Sequence, residues 1–223
     1  MKRGKKYNSI LSQLDRDKNY SVAEAVKIIK EGQLAKFDQS VELHIKTNID
    51  FKKSDQLVRG TVILPHGTGK TKRVAVVTSI AAAEAKAAGA DIVGGEELIE
   101  KLSKKINFDV LVATPEMMPK LAKVAKVLGP KGLMPNPKTE TVTTKVKETV
   151  EALKKGKASF KNDDTGNIHQ VIGKVSFEED KLVENIKIFI ESIQKAKPAG
   201  LKGKLIATIT ICSTMGPGIK VAI

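Results

Sequence analysis

The spacing of apolar residues predicts a helix near the start of the chain. Val22, Val26 and Ile29 recur on one helical face. Ser21 and Glu24, three residues apart, have the spacing of a capping box. In this motif each side chain accepts a hydrogen bond from a backbone N–H near the helix start. The pattern therefore predicts a helix over residues 22–31.

Beyond Gly32 the pattern changes to strict alternation of apolar and polar residues. Val41, Leu43 and Ile45 take every second position, which is typical of a strand with one buried face. The other face of this strand carries four polar side chains in one row: Ser40, Glu42, His44 and Lys46. A second apolar segment follows at residues 59–65 and ends at Pro65.

From residue 67 short apolar runs alternate with helical patterns. The predicted strands are residues 74–79, 90–93 and 108–113, and the predicted helices are residues 81–89, 96–104 and 115–128. The last helix carries Met117, Leu121, Val124 and Leu128 on one face. Strands that alternate with helices in this way indicate a parallel sheet covered on both faces.

The rest of the chain returns to longer strands. Residues 129–143 contain three prolines and are predicted to be a loop, followed by a helix over 144–155. Strands at 158–162 and 167–177 flank a turn at 163–166 and predict a hairpin. A helix over 178–195 and a strand over 204–211 complete the pattern.

Residues 1–66 are too few to bury a core by themselves, since one helix and two strands are rarely stable alone. We therefore expect residues 1–66 and 160–223 to form one discontinuous α+β sandwich domain. Residues 67–159 form an inserted three-layer α/β domain of Rossmann-like type. The predicted fold class combines α+β and α/β.

Composition points to a polyanionic partner. The 223 residues include 39 Lys and Arg against 25 Asp and Glu, a formal charge of +14, which favours phosphate contacts with release of counterions. A lysine-rich solvated surface is the alternative explanation. Aromatic residues make up only 4% and Trp is absent, so base stacking cannot be the main mode of binding.

No apolar run reaches the ~20 residues that cross a bilayer, and we expect a cytoplasmic protein without membrane contact.

Candidate catalytic and metal-binding motifs mostly fail on spacing. The segment GTGKT at 67–71 lacks the earlier glycine of a phosphate-binding loop, because that position is Leu64. Single Cys212 excludes zinc sites built on two thiolates, and the three histidines lack the spacing of a helical metal site. Asp163 and Asp164 are typical of a turn. We therefore predict no catalytic residue, no metal site and no cofactor.

Lysines at helical spacing, Lys120, Lys123 and Lys126, could contact phosphate. A solvated helix face opposite the apolar stripe of Met117 and Leu121 explains them better.

Several strings together resemble one family. They are VRGTVILPHGTGKTKRVAV, AGADIVGGEELIEK, ATPEMMPKL, LGPKGLMPNPKTETVT, GNIHQVIGKVSF and STMGPG. The chain resembles the large-subunit ribosomal protein L-one family of bacterial type over nearly its whole length. It departs from that family at Glu140, where bacterial members usually have glycine, and in a shortened segment near residues 79–83.

The resemblance implies a structural protein of the large ribosomal subunit rather than an enzyme. It implies that the discontinuous domain binds ribosomal RNA of the mobile stalk next to the tRNA exit site. The implied further partners are exit-site tRNA, whose release after deacylation the stalk assists, and the protein's own mRNA, whose translation it represses. The protein is expected in the cytoplasm, on the ribosome, and as a monomer off it.

The resemblance also implies RNA-contacting positions in this chain. They are Lys36, Phe37, Ser40, Glu42, Lys46, His169, Gly173, Lys174, Ser176, Ser213, Thr214, Met215, Gly216 and Pro217. The hydroxyls of Ser213 and Thr214 can pair with ribose 2′-OH groups. Gly216 allows close backbone approach, and Phe37 and Met215 can pack on sugars or bases.

Two other functional classes remain open from sequence. One is a nucleotide-dependent enzyme that uses residues 67–159. The other is a protein-binding module formed by the same inserted segment.

Overall fold

The computed structural model describes residues 4–15, 18–33, 35–50, 56–79, 81–99, 106–198, 200–201 and 203–222. The chain divides into two compact units. Unit 1 comprises residues 1–69 and 159–223, and unit 2 comprises residues 70–158. The assignment of RNA binding to unit 1 stays a prediction.

Unit 1 is built on a four-stranded sheet. The order is β7-β1-β8-β9, formed by β1 (Ser40–Thr47), β7 (Asn167–Lys174), β8 (Ile206–Ser213) and β9 (Ile219–Val221). Every neighbouring pair in it is antiparallel. A separate two-stranded sheet pairs β2 (Arg59–Ile63) with β6 (Lys157–Lys161).

Two amphipathic helices cover the inner face of this sheet. They are α2 (Val22–Glu31) and α7 (Glu179–Lys195), which pack on each other and on β7 and β8. Alternation along β1 buries Val41, Leu43 and Ile45 completely and leaves the polar row on the opposite face. The capping box of Ser21 and Glu24 is present at the start of α2, as predicted. A further helix, α1 (Lys5–Ser12), has no buried residue and was not predicted.

A buried amide fixes β7 against the end of β2. Asn185 on α7 donates to the carbonyls of Ile172 at 2.9 Å and Gly67 at 3.1 Å, and its Oδ1 accepts from the N–H of His66. Gly67 and Gly69 have φ of 64° and 73°, a left-handed conformation that glycine adopts without strain. These glycines therefore permit a tight turn after β2.

Unit 2 contains the predicted parallel sheet, in the order β4-β3-β5. Its strands are β3 (Val74–Val77), β4 (Ile92–Gly94) and β5 (Val110–Ala113). Its α-helices include α3 (Ala82–Ala87), α4 (Met118–Leu121), α5 (Ala125–Leu128) and α6 (Val146–Lys154). The mixed helix-and-strand architecture confirms the predicted fold class.

Alternate side chains of β3 enter two separate cores. Ala75 and Val77 pack with Leu121 and Leu128 on one side, whereas Val74 and Val76 pack with α6 on the other. The sheet is therefore covered on both faces, as alternating strands and helices predict.

The continuous helix predicted over 115–128 is wrong. The segment instead alternates 3-10 turns at Pro115–Met117 and Ala122–Val124 with α4 and α5. Pro119 lies in the first turn of α4, where its missing N–H and fixed φ are tolerated, so it marks a new helical start rather than the interior of one helix. The apolar stripe is nevertheless buried as predicted.

The prediction that the strands on either side of residues 163–166 pair with each other as a hairpin is also wrong. The turn exists, but β6 joins β2 while β7 joins β1, and a single bridge links Asn162 to Ile168. Strand β7 ends at Lys174, short of the predicted end. The helix predicted over 96–104 is helical at 96–99, and residues 100–105 lie outside the described part.

Candidate nucleic-acid interface

One end of the four-stranded sheet gathers segments that are far apart in sequence. Because β1 runs antiparallel to both neighbours, its first residues lie beside the last residues of β7 and β8. Ser40 pairs with Lys174, and Val41 lies between Gly173 and Ser213. We call this end, with the loop 36–39, the segment 174–176 and the turn 214–217, the strand-end surface.

Hydrogen bonds join the three segments of the strand-end surface. Thr214 Oγ1 accepts from the N–H of Ser40 at 3.0 Å, and the N–H of Thr214 donates to the Ser40 carbonyl at 3.1 Å. The N–H of Met215 donates to Gln39 Oε1 at 3.1 Å. The Asp38 carboxylate accepts from the hydroxyl of Ser176 at 2.9 Å.

Five of the predicted RNA-contacting residues are exposed on this surface: Lys36, Phe37, Ser176, Thr214 and Met215. The side chains of Phe37 and Met215 are 53% and 56% exposed. Exposed apolar side chains on a surface that is rimmed by polar groups are typical of a contact site. Lys174 is half-buried, and its ammonium donates to Ser40 Oγ at 3.1 Å and to the Asp38 carbonyl at 3.2 Å.

Four predicted contact residues have buried positions instead. Ser213 is 3% exposed, and Gly173 and Pro217 are buried as well. A side chain at Gly173 would place its Cβ 2.7 Å from Leu182 Cδ2, so this glycine serves core packing. A Cβ at half-buried Gly216 would clash with the hydroxyl of Ser213. The Ser213 hydroxyl faces the turn, and its ribose contact stays a prediction. Ser40, at 8% exposure, is similarly enclosed.

The outer face of the sheet carries the rest of the predicted set. Glu42 and Lys46 project from β1 next to His169 on β7, and His44, which was not in the predicted set, lies between them. His169 is exposed, and Lys46 donates to the Thr165 carbonyl at 2.7 Å.

Sequence reasoning did not find the residues that β8 adds to this face. In the register, Cys212 lies opposite Glu42, Thr210 opposite His44 and Thr208 opposite Lys46. Alternation of Thr208, Thr210 and Cys212 with buried isoleucines was a usable signal for their common face. The neighbouring strand was not readable from the sequence, because pairing is set by the fold.

Two half-buried ionisable groups on this face have shifted pKa values. Burial, reinforced by the neighbouring His169, lowers the pKa of His44 despite the opposing effect of Glu42. Burial and the Glu42 charge raise the pKa of the Cys212 thiol to about 11. A thiol with a raised pKa is a poor nucleophile at neutral pH.

The lysines of unit 2 form a solvated face. Lys120, Lys123 and Lys126 are exposed while Met117 and Leu121 are buried. Lys120 forms an ion pair with Glu96.

A family model described as "Ribosomal protein L1p/L10e family" matches residues 25–217. The chain belongs to the ribosomal protein L1p/L10e family. A protein named "Large ribosomal subunit protein uL1" from Thermosipho africanus is 52% identical over 99% of this chain and 96% of its own length. Proteins of the same name from Mesoplasma florum and Phytoplasma australiense are each 52% identical, over 98% and 99% of this chain and 97% of their own lengths.

Family membership confirms the resemblance inferred from sequence and assigns a structural ribosomal role, with localisation on the cytoplasmic ribosome. Members of this family are not enzymes, which removes the nucleotide-dependent alternative. Within the described residues, no helix is both long and apolar enough to span a bilayer.

Proposed function

We propose that this chain is a constituent of the large ribosomal subunit and that unit 1 binds ribosomal RNA of the mobile stalk. The observation that carries the proposal is the strand-end surface, where three segments distant in sequence together present exposed Phe37, Ser176, Thr214 and Met215. The names of the relatives support the subunit, and the +14 charge supports an RNA partner.

Order within the strand-end surface supports tight recognition. The bonds from Ser40 to Thr214 and from Met215 to Gln39 hold the turn before any ligand arrives. A surface that is already ordered loses little conformational entropy on binding. Apolar side chains at its edge can pack on sugars or bases, while hydroxyls can pair with the 2′-OH groups that distinguish RNA.

The buried residues of the predicted RNA-contacting set support the geometry of the strand-end surface. Gly173 lets β7 approach Leu182, and Gly216 leaves space for the Ser213 hydroxyl. We infer that these residues act on RNA affinity through the geometry of the turn, whereas Lys36 and Lys46 act through charge.

The finer roles rest on the family resemblance. We propose that the stalk assists release of deacylated tRNA from the exit site and that unit 1 also binds the chain's own mRNA and represses its translation. A reporter that carries the leader of that mRNA tests the second role: the wild-type chain should lower reporter synthesis, and Phe37→Ala should restore it. Equal repression by both proteins would contradict a shared binding surface.

Phe37→Ala tests the strand-end surface directly. Loss of one aromatic packing partner should weaken binding to a stalk fragment of large-subunit ribosomal RNA by about 1 to 3 kcal/mol. Ile63→Ala is the matched control, because Ile63 is 56% exposed on β2 of the same unit and lies outside the surface. Equal affinities of the two variants in a filter-binding titration would contradict the assignment.

A further inference from the structure

Three side chains that are typical metal ligands meet on the outer face of the unit 1 sheet. Glu42 and His44 lie two positions apart on β1, and Cys212 lies opposite Glu42 on β8. His44 Nε2 is 3.2 Å from Cys212 Sγ and 3.9 Å from Glu42 Oε2. The three ligand atoms all lie within 4.8 Å of one another.

These separations suit a tetrahedral cation. Zinc binds imidazole nitrogen and carboxylate oxygen at about 2.0 to 2.2 Å and thiolate at about 2.3 Å. Ligand atoms around one zinc ion are therefore separated by roughly 3.3 to 3.8 Å, close to the distances found here. A thiolate with an imidazole favours zinc over magnesium or calcium, which prefer oxygen ligands alone.

A second chain of contacts orients the imidazole of His44. His44 Nδ1 lies 2.8 Å from His169 Nδ1, so one ring donates and the other accepts. His169 Nε2 lies 3.5 Å from Asp163 Oδ2. We assign the ring N–H of neutral His169 to Nε2, where it faces this carboxylate; His169 Nδ1 is then the acceptor and His44 Nδ1 the donor.

This tautomer leaves the lone pair of His44 Nε2 directed toward Cys212. Histidines that bind metals commonly donate their other ring N–H to a partner that fixes the ring. His169 and Asp163 supply such support independently of the three ligand side chains. Asp163 is itself fixed, because its carboxylate accepts from Asn167 N–H at 2.7 Å and from Thr165 N–H at 2.9 Å.

We propose that Glu42, His44 and Cys212 bind one zinc ion, with the fourth position open to water or a ligand. Binding forms a zinc–sulfur bond and releases the thiol proton of Cys212 to solvent. The site goes beyond the proposed RNA role and does not depend on it. It reverses the expectation from sequence, which considered paired cysteines and helical histidine spacing but not ligands from adjacent strands.

Zinc would also change the charge of the sheet face. One divalent cation that replaces one proton adds a single positive charge beside Glu42. The carboxylate would then no longer oppose phosphate groups that approach this face.

Cobalt titration of the full-length, metal-stripped, RNA-free chain tests the proposal. We expect one equivalent of Co²⁺ to produce a thiolate-to-cobalt charge-transfer band, which zinc then abolishes by displacement. Cys212→Ser should lose that band while its circular dichroism is unchanged. A missing band in the wild-type chain, or the same band in Cys212→Ser, would overturn the proposal.

Affinities of three histidine variants separate the roles. His44→Gln should weaken binding most, and His169→Ala should weaken it about 10- to 100-fold as a positioning residue. His66→Gln is the control, because His66 pairs with Glu184 away from the cluster, at 2.8 Å, and should bind like the wild type. Equal zinc affinity in all three would contradict the assigned ligand. Because no RNA is present, failure here leaves the RNA proposal untouched.

Discussion

Glu140 combines an unusual backbone conformation with an ion pair. Its φ is 54°, and among the described residues no other residue except glycine has a positive φ. Left-handed geometry explains why glycine suits this position in the related family. The Glu140 carboxylate forms an ion pair with Lys157, whose side chain is only 7% exposed. The backbone strain at Glu140 is therefore offset by an ion pair that compensates the buried charge of Lys157.

Glu140→Gly should accordingly have opposite effects in two backgrounds. In the wild-type chain we expect a loss of about 1 to 2 kcal/mol in free energy of unfolding, because Lys157 loses its partner. In a Lys157→Met background the same change should stabilise by about 1 kcal/mol through relief of strain alone. Urea unfolding of the four proteins measures this coupling. The same sign in both backgrounds would refute it.

Thr214 has a structural role that precedes any contact with RNA. Thr214→Val removes the oxygen that accepts from Ser40 N–H and should lower the free energy of unfolding by about 1 to 3 kcal/mol. Thr214→Ser keeps the oxygen and should stay near the wild type. Chemical denaturation of both variants decides the matter, and equal stability of the two would mean that this hydrogen bond contributes nothing.

At the scale of elements, the turn before β7 depends on one carboxylate. Burial alone would raise the pKa of Asp163, but hydrogen bonds from Asn167 N–H and from the hydroxyl and N–H of Thr165 hold it well below its usual range. The stabilisation from ionised Asp163 is therefore complete above the ordinary pKa of 3.8 and is lost as pH falls below it.

Asp163→Asn should thus lower the melting temperature near neutral pH, and the gap to the wild type should shrink as pH drops below about 4. Asp164→Asn, at the exposed neighbouring position, is the control and should show a smaller gap. Melting curves at several pH values measure both. A gap that widens in acid would contradict the assigned hydrogen bonds.

Elements with a long, clear period were predictable from sequence. The alternation of β1 and the apolar faces of α2 and α7 each reflect a single buried side, and the structure buries those sides. The pairing of β6 was not predictable, because a turn reverses the chain without choosing the strand that accepts its hydrogen bonds. Pro119 also marks a new helical start within a segment whose apolar spacing alone looked continuous.

The candidate site was likewise predictable within one strand but not across neighbouring strands. The row of Glu42, His44 and Lys46 was readable from β1 alone. Cys212 joined it only through the register with β8, and the burial of Ser213 depends on which side of β8 faces the helices. Sequence spacing carries the period within a strand but not the contacts across strands.

At the scale of the whole molecule, charge and surface shape make separate contributions to RNA binding. The +14 charge should make affinity depend on salt, for RNA and DNA alike. Each tenfold rise in salt concentration should lower the logarithm of the binding constant by about 0.7 to 0.9 per phosphate contacted. The ordered strand-end surface should add a contribution that requires the 2′-OH group.

The most direct measurement compares a stalk fragment of large-subunit ribosomal RNA with its all-deoxy counterpart at near-physiological salt. We predict that the wild-type chain binds the RNA at least about tenfold more tightly, a difference of about 1.4 kcal/mol. Equal affinities for the two fragments would mean that charge alone holds the ligand, and would contradict the role assigned to the strand-end surface.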